Sequence, residues 1–301
     1  MTTHRPFAAA LWMTGAVVSF TAMAVAGRAV ADTHSTFEIM LWRSVIGFVL
    51  VVVMAHSAGR LRQIRRDRLG QHLVRNIVHF TGQNLWFWSL TLIPLAQVFA
   101  LEFTSPIWVI LLSPLVLGER LTRPRLISAG LGFIGILIVA RPDFSALNPG
   151  ILAAAGSALC FATTNLLTKR LTLGEGLVSI LFWLTLMQAA FGAIASVATG
   201  SLNLPTMQTL PWLALIGICG LLAHTCLTTA LSLAPASFVV PLDFLRLPVI
   251  AVIGVLLYAE PLEPLVLLGA CVIFAGIWIN IRAETRKPAT VAKSQIRDAA
   301  S

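Results

Sequence analysis

With 57% of its 301 residues hydrophobic and only 11% charged, this chain cannot build a water-facing surface, since soluble domains carry roughly 25% charged residues. Its net charge of +9 would suggest nucleic acid for a soluble protein, but the positive charges sit between apolar runs, which argues against that partner and fits the anionic inner face of a membrane. The four cysteines (Cys160, Cys219, Cys226 and Cys271) fall inside apolar runs without CxxC or paired spacing, and read as packing residues rather than disulfide or metal ligands.

Ten runs have the roughly 20 largely apolar residues of a spanning helix. They lie at about 7–30, 36–56, 73–93, 95–117, 125–141, 149–169, 176–199, 210–233, 236–258 and 263–282, with Pro94 and Pro235 marking turns where apolar character hardly pauses. The first run ends in Ala29-Val30-Ala31 before Asp32, like a signal-peptide cleavage site. Its apolar part exceeds the usual length of about 7–15 residues and Arg28 abuts the cut, so it is read as a retained helix.

Arg and Lys alternate from one side to the other. Arg60, Arg62, Arg65, Arg66, Arg68 and Arg75 follow the second run, Arg120, Arg123 and Arg125 the fourth, and Lys169 and Arg170 the sixth. The tail adds Arg282, Arg286, Lys287, Lys293 and Arg297. The opposite connections hold only Arg28 and Arg141, beside Asp32 and Asp143. The pattern predicts a cytoplasmic N-terminus (1–6), a cytoplasmic basic tail (283–301) and a bacterial inner-membrane location.

The two halves of the chain match at an offset of 141 positions without a gap. The offset pairs Gly15 with Gly156, Phe20 with Phe161, Trp42 with Trp183, Pro94 with Pro235, Glu119 with Glu260, Gly135 with Gly276 and Arg141 with Arg282, and lays Leu101–Phe103 on Leu242–Phe244. Shared Leu between apolar helices is expected by chance; matched Trp, Pro and acidic positions in one register are not. Each half (7–141 and 149–282) holds five runs, an odd number, so the second must enter the membrane inverted. The predicted fold is an all-α polytopic membrane protein of ten transmembrane helices in two inverted five-helix repeats, an architecture of secondary transporters whose site lies near the midplane.

Gly130-Leu131-Gly132-Phe133-Ile134-Gly135 matches GxGxxG literally. A dinucleotide site would need a preceding strand, and this motif sits inside a predicted span, where small residues let helices approach closely. No HExxH, nucleophile elbow or Walker motif is present, so no catalytic residue, metal or cofactor is expected.

The intramembrane charges Arg43, Glu102, Asp243 and Arg246 carry the functional reading, because such residues are costly in lipid and face partners or a pathway. Arg43 and Glu102 each lie seven residues from the estimated outer end of their runs, a depth of roughly 10 Å, which predicts an ion pair between them. Asp243 starts from the other side with Arg246 three residues on, which predicts a second pair across the midplane. Structural pairing is the plain alternative to solute binding or gating for both. Asn76, His79, Thr81, Gln83, Asn84 and Ser89 give the third run a polar face, with His79, Gln83 and Trp86 at helical spacing. Its repeat mate carries His224, Thr225, Thr228 and Thr229, and together they suggest a wet cavity. Trp42 and Trp183 are repeat mates proposed to wall that cavity, although interfacial anchoring is the usual role of Trp. Pro106, Pro241 and Pro248 are expected to kink the fourth and ninth helices beside Glu102 and Asp243.

These features resemble the drug/metabolite transporter superfamily in its EamA branch. The resemblance rests on the 5+5 plan, the phrase LWRSVIG around Arg43, and the phrases SPIWVILLSPLVLGERLT and RLPVIAVIGVLLYAEPL, which end near Glu119 and Glu260. It covers nearly all of 7–282 and implies solute transport through a central cavity without ATP hydrolysis. Small organic metabolites are the implied substrates, with riboflavin or S-adenosylmethionine leading; an amino-acid or drug/metabolite exporter of the same fold is the alternative. A membrane-embedded lipid-modifying enzyme would need an acid, base or metal cluster at one membrane face, which the sequence lacks. Expected partners are a small-molecule substrate and membrane lipid, and not nucleic acid. Proton or counter-solute coupling, a homodimer and the direction of transport stay open.

Overall fold

A computed structural model describes residues 5–30, 33–93, 98, 101–140, 149–246, 249, 252, 256 and 264–285. Pro94, Pro248, Glu260 and the tail from 286 lie outside the described residues, as do Asp32, Arg141 and Asp143. The described chain is helical: α1 (Pro6–Arg28), α2 (Thr36–Ser57), α3 (Leu69–Leu92), α4 (Ser105–Leu117), α5 (Arg123–Ala140), α6 (Pro149–Thr172), α7 (Leu177–Ala198), α8 (Leu210–Leu233), α9 (Ala236–Val239) and α10 (Pro264–Thr285). A 3₁₀ stretch, Val240–Leu245, continues α9. Among these, α1, α2, α6, α7 and α8 are each long and apolar enough to cross a membrane.

The burial pattern inverts that of a water-soluble protein. Asn76 and Ser157 are fully buried, whereas Leu115 is 83% exposed and Phe7 and Ile194 also face outward. Polar groups gathered inside and apolar ones outside is the distribution that a hydrocarbon solvent favours.

The 141-position offset recurs in three dimensions. Both ends of α2 and α7 differ by 141, as do both ends of α3 and α8 and the starts of α5 and α10. Gly59 and Gly200, mates at that offset, turn the chain out of α2 and α7 with left-handed φ of 64° and 66°. The most extensive packing joins α1 to α8 and its mate pair α6 to α3, with α2 on α7 and α5 on α10 crossing between repeats. Each repeat therefore buries its helices against the other rather than against itself.

Glycines set these close crossings in mated pairs. A Cβ on Gly15 would stand 3.0 Å from Sγ of Cys226, and one on its mate Gly156 would stand 3.3 Å from Leu85, the mate of Cys226. A Cβ on Gly135 would lie 2.8 Å from the Gly269 carbonyl, and one on Gly276 3.0 Å from the Ser128 carbonyl. The GxGxxG segment is thus a helix-packing surface: Gly132 meets the Phe244 ring and Gly135 meets α10, while Gly130 has open space around its Cα.

The fourth and ninth helices depart from the continuous spans expected of them. Leu101 and Glu102 form a helical turn, Phe103 and Thr104 interrupt it, and α4 starts afresh at Ser105 with Pro106 in its first turn. Proline is tolerated there because its missing N–H would lack an intrahelical partner anyway. Likewise α9 lasts one turn before narrowing into the 3₁₀ stretch, which opens with Pro241 in its first turn and contains Asp243. Pro106 and Pro241 therefore stand at helix breaks, not at kinks within unbroken helices.

Gly135→Ala should destabilise the detergent-solubilised protein by about 1–3 kcal/mol, because the neighbouring backbone cannot retreat cheaply. Gly130→Ala should be neutral or stabilise by up to about 1 kcal/mol. Tryptophan-fluorescence melting curves check both, and equal shifts would refute the packing role.

Candidate functional site

Helix α3 supplies the spine of the buried polar interior. Asn76, His79, Gln83 and Trp86 recur at three- and four-residue steps, which lines them along one face. All but Trp86 are buried, and Arg75 beside them is only 2% exposed. Arg75 is thus no part of the cytoplasmic cationic connection its position in sequence suggested.

One cluster is cationic. Arg43 Nη2 donates to Gln83 Oε1 at 3.2 Å, and its Nη1 lies 3.9 Å from Met23 Sδ. Arg75 donates from Nε to Thr168 Oγ1 at 3.0 Å and from Nη1 to Asn76 Oδ1 at 3.0 Å. Gln188 Nε2 donates to the Asn76 carbonyl at 2.9 Å and fixes that residue in turn. The rings of His79 and His224 meet edge-on with centroids 5.2 Å apart. A small cavity of about 20 Å³ opens between Arg43, Gln188, His224, Gly217 and Gly220.

The other cluster is anionic. Arg246 Nη2 bonds Glu102 Oε1 at 2.6 Å and Asp243 Oδ2 at 2.8 Å, and Trp86 Nε1 donates to Glu102 Oε2 at 2.7 Å. The guanidinium also lies over the rings of Phe103 (5.0 Å) and Phe20 (5.7 Å). Phe20 in turn meets His224 edge-on at 5.6 Å, so one aromatic ring separates the two clusters.

This arrangement corrects the expected pairing. Glu102 pairs with Arg246 rather than Arg43, and both carboxylates share one guanidinium instead of lying on opposite sides of the midplane. Depth counted along unbroken helices could not anticipate this, because the chain breaks beside both acids. His79, Gln83 and His224 do come together with Arg43. Arg75, Asn76, Gln188, Phe20 and Trp86 complete the interior; Arg75 and His79 stand one helical turn apart, a spacing that could have marked Arg75 as inward-facing.

Trp42 and Trp183 do something else. Trp42 Nε1 donates to the Asn203 carbonyl at 3.2 Å, and Asn203 N–H donates to Glu38 Oε1. Trp183 Nε1 donates to the Arg65 carbonyl at 2.8 Å, and Arg65 N–H donates to Ser179 Oγ at 3.2 Å. Residues 38 and 179, like 42 and 183, are mates, so each repeat grips one residue of the other repeat's loop by both backbone groups. Their indole N–H groups serve connections rather than a cavity. A further inter-repeat clamp forms where Gly118, at a φ of 65°, turns the chain out of α4. The turn aims Glu119 at the start of α9, where it accepts from the backbone N–H of Ala236 (2.8 Å) and Ser237 (3.1 Å) and from the Ser237 hydroxyl. Lys169 Nζ donates to the last carbonyls before it, those of Leu231 (2.6 Å) and Ala234 (2.9 Å).

The model of the EamA-like transporter family matches residues 7–141 and again 148–282. The chain belongs to the EamA-like transporter family. Among EamA relatives, the riboflavin transporter of Vibrio cholerae is 29% identical over 94% of this chain and 96% of its own. That of Brucella anthropi is 33% identical over 73% and 79%. The S-adenosylmethionine uptake transporter of Rickettsia felis is 24% identical over 94% and 96%. A solved crystal structure covering 92% of this EamA chain and 98% of its own superposes with a TM-score of 0.79 at 17% identity, a likeness of fold alone.

Removing one partner of a buried ion pair strands the other charge, at a cost of about 3–5 kcal/mol. A double-mutant cycle of Glu102→Gln with Arg246→Gln should therefore show coupling of about 1–3 kcal/mol in denaturation measurements. Glu102→Gln with Arg43→Gln should be additive within about 0.5 kcal/mol. The reverse ranking would restore the pairing of Arg43 with Glu102.

Proposed function

We propose that this protein is a secondary transporter that moves a small organic metabolite across the bacterial inner membrane by alternating access, with ten spans and both termini in the cytoplasm. The observation that carries this reading is the repeat, read as inverted, whose halves enclose buried charge and clamp each other's loops from the same two positions. Opening one end of the bundle requires the Asn203 clamp to part; opening the other requires the Arg65 and Glu119 contacts to part. Both sets join the two repeats, so rocking one repeat against the other breaks them in turn. Family membership supports transport over catalysis.

Arg43, His79, Gln83 and His224 are the side chains proposed to meet solute, and Glu102, Asp243 and Arg246 to bind it or gate its path. The helix breaks beside Glu102 and Asp243 free backbone groups that can serve either role. Riboflavin and S-adenosylmethionine head the candidates because relatives that span nearly the whole chain carry those names and the interior combines aromatic and polar side chains.

Purified protein in proteoliposomes should carry riboflavin or S-adenosylmethionine down an imposed gradient. No movement of either, nor of any solute in a broad metabolite panel, would overturn the reading. Glu102→Gln and Asp243→Asn should each cut flux at least about tenfold, the equivalent of one lost charged interaction, while the protein remains folded. Full flux in both variants would reduce these carboxylates to structural roles.

A further inference from the structure

Two buried guanidiniums have no counter-ion among the described residues. Arg43 (8% exposed) and Arg75 (2%) bond only neutral acceptors, with no carboxylate within 4 Å. Elsewhere in the interior the chain supplies the opposite charge: Arg246 has two carboxylates. Together Arg43, Arg75 and Arg246 outnumber Glu102 and Asp243 by one positive charge.

Unused donors and acceptors collect at the same place. Among the described residues neither ring nitrogen of His79 has a hydrogen-bond partner, nor does Nδ1 of His224, and both residues are more than nine-tenths buried. The pieces are contiguous. Arg43 and His224 line one cavity with Gln188, Gln188 holds Asn76, and Asn76 accepts from Arg75. A buried cation without a counter-charge is costly, and so is a buried polar atom without a partner. Both costs fall together if an anion with several acceptor oxygens enters, since guanidiniums and imidazole N–H groups then donate charge-assisted bonds to it.

We propose that Arg43 and Arg75, with His79 and His224, form the recognition site for an oxyanion, a carboxylate or phosphate, carried by the transported solute. The proposal rests on the transport reading above and names the class of its substrate. The cavity of about 20 Å³ admits one water-sized group, so the oxyanion takes its seat as the helices part. Phe20 divides this site from the Glu102–Arg246–Asp243 cluster, so the rest of the solute passes a ring face before reaching the carboxylates.

The test uses the full chain in detergent, with two solute pairs that differ in the oxyanion. Flavin mononucleotide is set against riboflavin, and S-adenosylmethionine against its carboxamide, which keeps the sulfonium and ammonium, with inorganic phosphate as a minimal probe. In at least one pair the oxyanion-bearing member should bind about tenfold tighter or more, and phosphate should compete with it. Arg43→Gln or Arg75→Gln should abolish that preference, and Arg43→Lys should keep part of it. General salt stabilisation is common to wild type and variants, so it is removed by comparing them. Equal binding of both members of each pair by the wild type would overturn the proposal, a result that needs no variant to fold. If neither pair binds, phosphate decides: stabilisation that depends on Arg43 and Arg75 supports the site, and its absence overturns it. Flux of riboflavin with no preference for flavin mononucleotide would refute the oxyanion site and leave transport standing. Oxyanion binding without flux of any solute would refute transport instead.

Discussion

A guanidinium taken out of water must find its acceptors inside the protein, and Arg246 finds two carboxylates on two different helix breaks. Glu102 ends the turn before α4, and Asp243 sits in the 3₁₀ stretch after α9. Asp243 has Arg246 three residues on in its own segment, whereas the Glu102 break has no cation of its own and must borrow that one. Arg246 joins them, while Trp86 on α3 holds the second oxygen of Glu102. The fourth and ninth helices are therefore tied together at their weakest points, and the polar face of α3 is registered against both.

Much of the architecture was legible in the residues. Prolines, glycines and tryptophans repeating at 141 positions reported the two-repeat architecture, and the ends of α2, α3, α7 and α8 fall on that offset. Gly132 and Gly135 of the GxGxxG segment read correctly as packing positions because a glycine in an apolar helix has few other uses, whereas Gly130 has open space around it. The partners of the charged residues were far less legible. A count along a helix gives depth but no direction around the axis, and even depth fails where the helix is interrupted, as it is beside Glu102. Trp42 and Trp183 illustrate the same limit: their repeat relationship was visible, but not that each indole reaches a loop of the opposite repeat. Arg75 was hidden by its company, the last of a run of arginines whose other members lie in the connection before α3.

The division of the interior by Phe20 has a physical meaning of its own. On one side positive charge faces imidazole nitrogens that have no partner among the described residues, and on the other two carboxylates share a single cation. Such a separation in a medium of low dielectric sets up a strong field across one ring's width. Under the transport reading proposed above, a solute that spans it is sorted by orientation as well as by composition.

The loop clamps are matched in geometry and mismatched in chemistry. Asn203 donates to a carboxylate, Glu38, whereas Arg65 donates to a hydroxyl, Ser179, with the acid displaced to Glu175 behind it at 2.7 Å. A bond to an ionised acceptor is roughly twice as strong as one between neutral groups. The pseudo-symmetry of the backbone thus stops short of its bonding: two latches of one design hold the ends of the bundle with unequal force.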